Sequence, residues 1–173
     1  MENIAVAEKA NDTIEQVITP EELLNHWQGH RRLTRRVIEA FPEDKLFNYS
    51  IGGMRPFSAM AQELTNMAVA GVRGVVTDKW APVSELGHHS GKDTANTKAG
   101  ILQQWDKATA EIDEWWPKIP AGRFQEKMLA FGQWEMETYA IILYWIDNEI
   151  HHRAQGYVYL RSLGIEPPYF WER

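Results

Sequence analysis

Residues 139–163, YAIILYWIDNEIHHRAQGYVYLRSL, decide the fold. The run holds no proline and stops at Gly164, with Pro167 and Pro168 just beyond, the punctuation of a helix C-terminus. At helical spacing one face reads Ile141, Trp145, Asn148, His152, Gln155, Tyr159 and Leu163. Its two ends are apolar, as in a helix buried in a bundle. Its middle places an amide, an imidazole and a second amide where core side chains belong. Burying such groups without partners costs roughly 1–3 kcal/mol each. A folded protein keeps them for a hydrogen-bond network, a ligand or a metal.

The rest of the chain supplies companions for this helix. Thr19-Pro20-Glu21-Glu22 is a helix start, with an N-cap, a proline at the first helical position and acids in the first turn. The helix predicted from residue 20 to 41 buries Leu23, Leu24, Trp27, Thr34, Val37, Ile38 and Phe41, and Pro42 stops it. Residues 42–56 read as a loop punctuated by Gly52-Gly53. A second helix, 57–78, turns Phe57, Met60, Ala61, Leu64, Met67, Ala68, Gly71, Val72 and Val75 inward, with Glu63 at the edge of that face. A third, 94–116, carries Ile101, Leu102, Trp105, Ala108, Ile112 and Trp115. Residues 117–133 form a connection with a short strand or turn around 124–131, and the last helix spans 134–163. The expected fold class is all-α, a four-helix bundle: an N-terminal arm over 1–18, then one domain over 19–173. Tyr169, Phe170 and Trp171 are too apolar to stand in water and are expected to dock on the bundle or on a second subunit. That aromatic excess, with eight tryptophans in 173 residues, predicts a homodimer.

Composition excludes several function classes. A net charge of −6 gives no electrostatic footprint for nucleic acid. The absence of cysteine removes disulfides, thiolate nucleophiles and Cys-type zinc sites. No run of ~18 apolar residues predicts a membrane span, and the first residues lack a basic and then apolar leader, so a cytoplasmic location is expected.

The chemistry-bearing residues admit more than one reading. Glu63 is an oxygen donor for zinc, nickel, manganese or iron, or a boundary glutamate paired with an arginine of a neighbouring helix. His152 lies on the inward stripe and is the leading ligand candidate. Glu149 and His152 have the Glu-x-x-His spacing of a di-iron half-site, but the second pair that such a site needs is matched only by Glu85 and His88, beside a glycine. Glu149 with Arg153 reads more simply as a surface ion pair. His26 and His30 have ligand-like spacing next to Arg31, Arg32, Arg35 and Arg36, and read as ordinary, partly exposed residues. His88 and His89 sit in the long connection 79–93, either solvated or reaching the bundle mouth.

His152-Arg153-Ala154-Gln155 and Leu160-Arg161-Ser162-Leu163-Gly164 resemble the last-helix signature of the DinB/YfiT-like metalloenzyme family, with Ala154 in place of the family's glycine. The resemblance implies a four-helix bundle, often dimeric, in which three histidines hold a divalent metal, one on the second helix and an i, i+4 pair on the last. Carried onto this chain through Phe57-Ser58-Ala59-Met60-Ala61-Gln62-Glu63-Leu64, those positions are Glu63, Asn148 and His152. Two of three imidazoles are replaced, which implies either a site retuned toward manganese or iron or a lapsed site. The resemblance further implies chemistry on a small-molecule substrate with a low-molecular-weight thiol, as in S-transferases or related hydrolases and isomerases. Gln155, Tyr159 and Tyr144 would then orient the cofactor or substrate. The competing class is a non-catalytic dimeric helical protein whose polar centre is a structural network or a small-ligand pocket.

Overall fold

The computed structural model describes residues 17–173, so most of the N-terminal arm lies outside the described residues. Four long helices carry the architecture: α1 (Pro20–Ala40), α3 (Phe57–Thr77), α5 (Lys98–Trp115) and α6 (Thr138–Ser162). Short helices α2 (Glu43–Asn48) and α4 (Gly87–Ser90) sit in the connections, and a hairpin of β1 (Lys127–Ala130) and β2 (Trp134–Glu137) precedes α6. The helical bundle is therefore the observed fold.

Local chemistry sets the helix ends. Thr19 and Glu22 close a capping box: Glu22 N–H donates to Thr19 Oγ1 at 3.1 Å and Thr19 N–H donates to Glu22 Oε2 at 2.7 Å. Thr97, not Thr94, caps α5, its hydroxyl accepting from Gly100 N–H, so that helix begins at Lys98. Residues 42–56 are not all loop, because Leu46 is buried and draws a helical turn onto the core. The last helix starts at Thr138 rather than at 134, because residues 134–137 pair antiparallel with 127–130. Their turn needs positive φ at Phe131 and Gly132, and Phe131 is buried, its ring 5.1 Å from that of Trp80. Tyr169, Phe170 and Trp171 do not dock on the bundle. They are exposed, with Tyr169 stacked on Trp171.

The core divides along the bundle axis. One apolar cluster gathers Trp27, Val72, Val75, Ile112, Trp116 and Trp145, and the other Ile38, Phe41, Phe57, Met60, Trp105 and Tyr159. Gly71 and Gly156 let α3 and α6 approach closely, since a Cβ at either would overlap Trp145 or Phe57. Between the clusters every long helix contributes polar side chains: His30, Arg31 and Thr34 from α1, Glu63 from α3, Thr109 from α5, and Asn148, Glu149, His152 and Arg153 from α6. This polar waist holds the chemistry.

Candidate functional site

The waist has a sealed side and an open side. On the sealed side Glu149 faces α1. Thr34 Oγ1 donates to Glu149 Oε1 at 2.6 Å, and the guanidiniums of Arg31 and Arg153 lie 3.8 and 3.9 Å from its oxygens. Arg31 donates from Nε to Thr109 Oγ1 at 2.8 Å and lies 4.0 Å over the Trp105 ring. Arg153 donates to the His30 carbonyl and, through Nη2, to His30 Nδ1 at 2.9 Å. The Glu149–Arg153 pair is thus buried, not at the surface: the helix face that carries it packs on α1. His30 is buried for the same reason. Burial, then the charges of Arg153, His26 and Arg173, lower its pKa to about 3 and keep the ring neutral. His30 Nε2 lies 3.2 Å from His26 Nε2 and 3.1 Å from the Arg173 guanidinium. Burial pushes the Glu149 carboxyl up, while Arg31, Thr34 and Arg153 pull it down.

The open side lies between α3 and α6. Glu63 Oε1 stands 3.3 Å from His152 Nε2 and 3.2 Å from Asn148 Nδ2, and Glu63 Oε2 is 2.6 Å from Arg55 Nη2. Gln155 Oε1 lies 2.7 Å from His152 Nδ1, and Gln155 Nε2 donates to the Met54 sulfur at 3.4 Å. A thioether only accepts, so the amide NH2 belongs on Met54 and the amide oxygen on an Nδ1–H of His152. The tautomer then leaves His152 Nε2 aimed at a carboxylate oxygen, a contact that requires a cation between them, either a second ring proton or a metal. Burial pushes the Glu63 carboxyl up, but His152, Arg55 and Asn148 together outweigh it and hold the group far below the usual carboxylate range.

The residues singled out in sequence therefore meet: Glu63, Asn148, His152 and Gln155 form one connected set. Tyr159 joins it indirectly, its hydroxyl donating to the Arg55 carbonyl at 3.0 Å, and Tyr144 is exposed. His88 lies near enough for the charges of Glu63 and Arg55 to act on it; its backbone N–H donates to Asn66 Oδ1 at 2.7 Å. Arg55 was not legible in advance. It sits in a Gly-rich loop with no periodicity, and only the packing of that loop over α3 brings it to Glu63.

A divalent metal is the group the resemblance implies. Among the described residues no three histidine, cysteine, aspartate or glutamate side chains gather as a metal set. Among the described residues Glu149 accordingly has no second Glu-x-x-His partner set beside it. The open side offers one carboxylate, one imidazole and one amide. Two ligands held ~2.1 Å from one metal at right to tetrahedral angles stand about 3.0–3.4 Å apart. The 3.3 Å separation of His152 Nε2 from Glu63 Oε1 falls in that range and is longer than the ~2.7–2.9 Å of a charge-assisted hydrogen bond, whereas the 3.2 Å contact of Asn148 is made by Nδ2, an amide donor. Gln155 on His152 Nδ1 is the outer partner that a metal-bound imidazole characteristically has. The carboxylate of Glu63 and the imidazole of His152 are spaced as two ligands of a divalent cation would be, and Asn148 would join them only with its amide turned to present Oδ1.

The DinB family model matches residues 9–172. The chain belongs to the DinB family. Its fold is similar to that of a DinB-like protein from Bacillus cereus ATCC 10987, with a TM-score of 0.69 at 15% identity, over 87% of this chain and 97% of that one. It is also similar to the DinB-like protein YjoA of Bacillus subtilis, with a TM-score of 0.67 at 14% identity, over 87% of this chain and 99% of that one. At such identities the likeness is one of fold. No curated protein matches the chain, and no helix among the described residues is long and apolar enough to cross a membrane.

Proposed function

We propose that this DinB-family protein is a divalent-metal-dependent enzyme acting on a small molecule, with Glu63, His152 and Asn148 as the protein's donors. The observation that carries the reading is the 3.3 Å spacing of His152 Nε2 from a single oxygen of Glu63, with Asn148 beside that same oxygen. With one imidazole and two oxygen donors, counting Asn148 through its amide oxygen, the set favours manganese or iron over nickel or zinc. A metal there supplies Lewis acidity, or a nucleophile from coordinated water or thiol near neutral pH. The chain's own residues do the rest. Gln155 fixes the His152 tautomer, Arg55 holds the second oxygen of Glu63, and Tyr159 pins the backbone at Arg55. A low-molecular-weight thiol as co-substrate follows from the family resemblance and belongs to the same proposal.

The competing reading makes His152 an imidazolium paired directly with Glu63, a structural network with no metal. Elemental analysis of protein purified without a histidine tag separates them. The enzyme reading expects near-stoichiometric manganese or iron, lost in His152→Ala with helicity retained. Metal-free protein that also fails to take up Mn2+ or Fe2+ in calorimetric titration would overturn it.

A further inference from the structure

The mouth of the open side holds a cation whose bonding capacity the fold does not use up. Arg55 Nη2 contacts Glu63 Oε2 at 2.6 Å, and the side chain is 50% exposed. A guanidinium presents two hydrogen-bonding forks that share Nη2, one with Nε and one with Nη1. A contact through Nη2 alone engages only one of them, and neither Nε nor Nη1 has a partner among the described residues. The second fork is open to solvent. The backbone behind it is fixed, because Tyr159 in the core donates to the Arg55 carbonyl.

Charge favours an anion here although the chain as a whole carries −6. The charged groups acting on His88 are His89, Glu63 and Arg55, and those lowering Glu63 are His152 and Arg55. Glu63 is the carboxylate in direct contact with Arg55, and the 2.6 Å contact between them pairs its charge. An incoming carboxylate encounters a fork of matching geometry and no unpaired negative charge.

We propose that Arg55 is the recognition residue for a small carboxylate-bearing molecule, which docks on the free fork with its other end toward His152 and Asn148. The inference names the substrate class of the site described above and rests on that reading for the reactive end; the fork itself works without metal.

The test uses the full chain, uniformly 15N-labelled, with benzoate as probe and benzamide as its neutral isostere. Benzoate is expected to shift the Arg55 Nε–H resonance saturably while benzamide leaves it in place. Arg55→Gln should abolish the binding, and Arg55→Lys should weaken it about fivefold or more, because an ammonium keeps charge but not the fork. An Arg55 resonance unmoved by benzoate, an equal response to benzamide, or undiminished binding by Arg55→Gln would overturn the proposal. Phenyl phosphate binding more tightly than benzoate would overturn the carboxylate assignment. Metal content measured on the same samples keeps the two proposals apart. Metal-free protein that still binds benzoate through Arg55 removes the metal reading and leaves this one standing; protein that takes up metal but, read by NMR in its metal-stripped form, shows an Arg55 unmoved by benzoate does the reverse.

Discussion

The two sides of the waist share a layer of the bundle and much the same residue types, yet they differ in what their charges are left to do. On the sealed side Arg31 and Glu149 are 1% and 2% exposed, and the guanidinium, hydroxyl and carbonyl groups there bond one another across α1, α5 and α6. On the open side Glu63 and His152 are 18% and 10% exposed, Arg55 faces water, and the Glu63–His152 contact is long. The difference teaches that burial separates a cluster satisfied by its own members from one whose polar atoms stay within reach of solvent. A charge cluster without solvent access is held by its own members, whereas one at a surface seam keeps coordination capacity for something that arrives.

Breaking the sealed side should give the largest stability effect. Glu149→Ala leaves Arg31 and Arg153 buried without their counter-charge, at an expected cost of about 3–5 kcal/mol in urea unfolding. A cost below about 1 kcal/mol would show that the sealed cluster is not held by its carboxylate.

On the open side, removing His152 tests the same comparison from the other direction. If a metal joins Glu63 and His152, His152→Ala removes the metal, and adding Glu63→Gln recovers little stability. If the two are a bare ion pair, His152→Ala strands the carboxylate and Glu63→Gln restores about 1–2 kcal/mol, discounted for partial exposure and for Arg55.

The two sides should also part on acidification. His30 has a folded pKa of about 3, below the unfolded 6.5. The unfolded chain therefore binds that proton first, and the stability tied to neutral His30 is full above pH 6.5 and drains as pH falls toward 3. His30→Gln should flatten the stability profile in that window. Glu63 is depressed below its usual 4.5, so its contribution is present above pH 4.5 and is lost only as pH falls through the lower folded value. Glu63→Gln should leave the slope between pH 6.5 and 5 unchanged. An equal flattening by both variants would erase the distinction.

The smallest effect is reserved for the periphery. Glu172→Ala breaks the exposed pair with Arg36, 2.8 Å apart in the native chain. It should cost no more than about 0.5 kcal/mol in the same unfolding assay and leave metal content unchanged.

How much was legible follows from which signals are local. The Thr19 cap, the stop at Gly164 and the inward stripe of α6 are written in nearest-neighbour chemistry and periodicity, and the structure reproduces them. Glu63 and His152 stood out because each is polar on an otherwise apolar face. Their meeting follows from α3 packing on α6, and the Gly71 and Gly156 contacts fix how closely. The burial of Glu149 and Arg153 was not legible. A stripe read from one helix leaves its second packed face unassigned, and α6 is covered by α1 as well as α3.

By itself the sequence determined the all-helical class, two of the four long-helix starts to within a residue and the composition of the polar stripe, because caps, prolines and 3.6-residue periodicity act over one or two turns. Only the tertiary structure decided which charges are sealed and which stay open, that a hairpin displaces the first turn of the last helix, and that Arg55 reaches Glu63. The sealing of the charges depends on contacts between residues far apart in the chain, up to the 123 positions that separate His30 from Arg153; the hairpin and the Arg55–Glu63 contact join nearer residues across element boundaries that periodicity does not read. Burial, which sets whether a charge is a strut or a site, is a property of the packed layer rather than of any one segment.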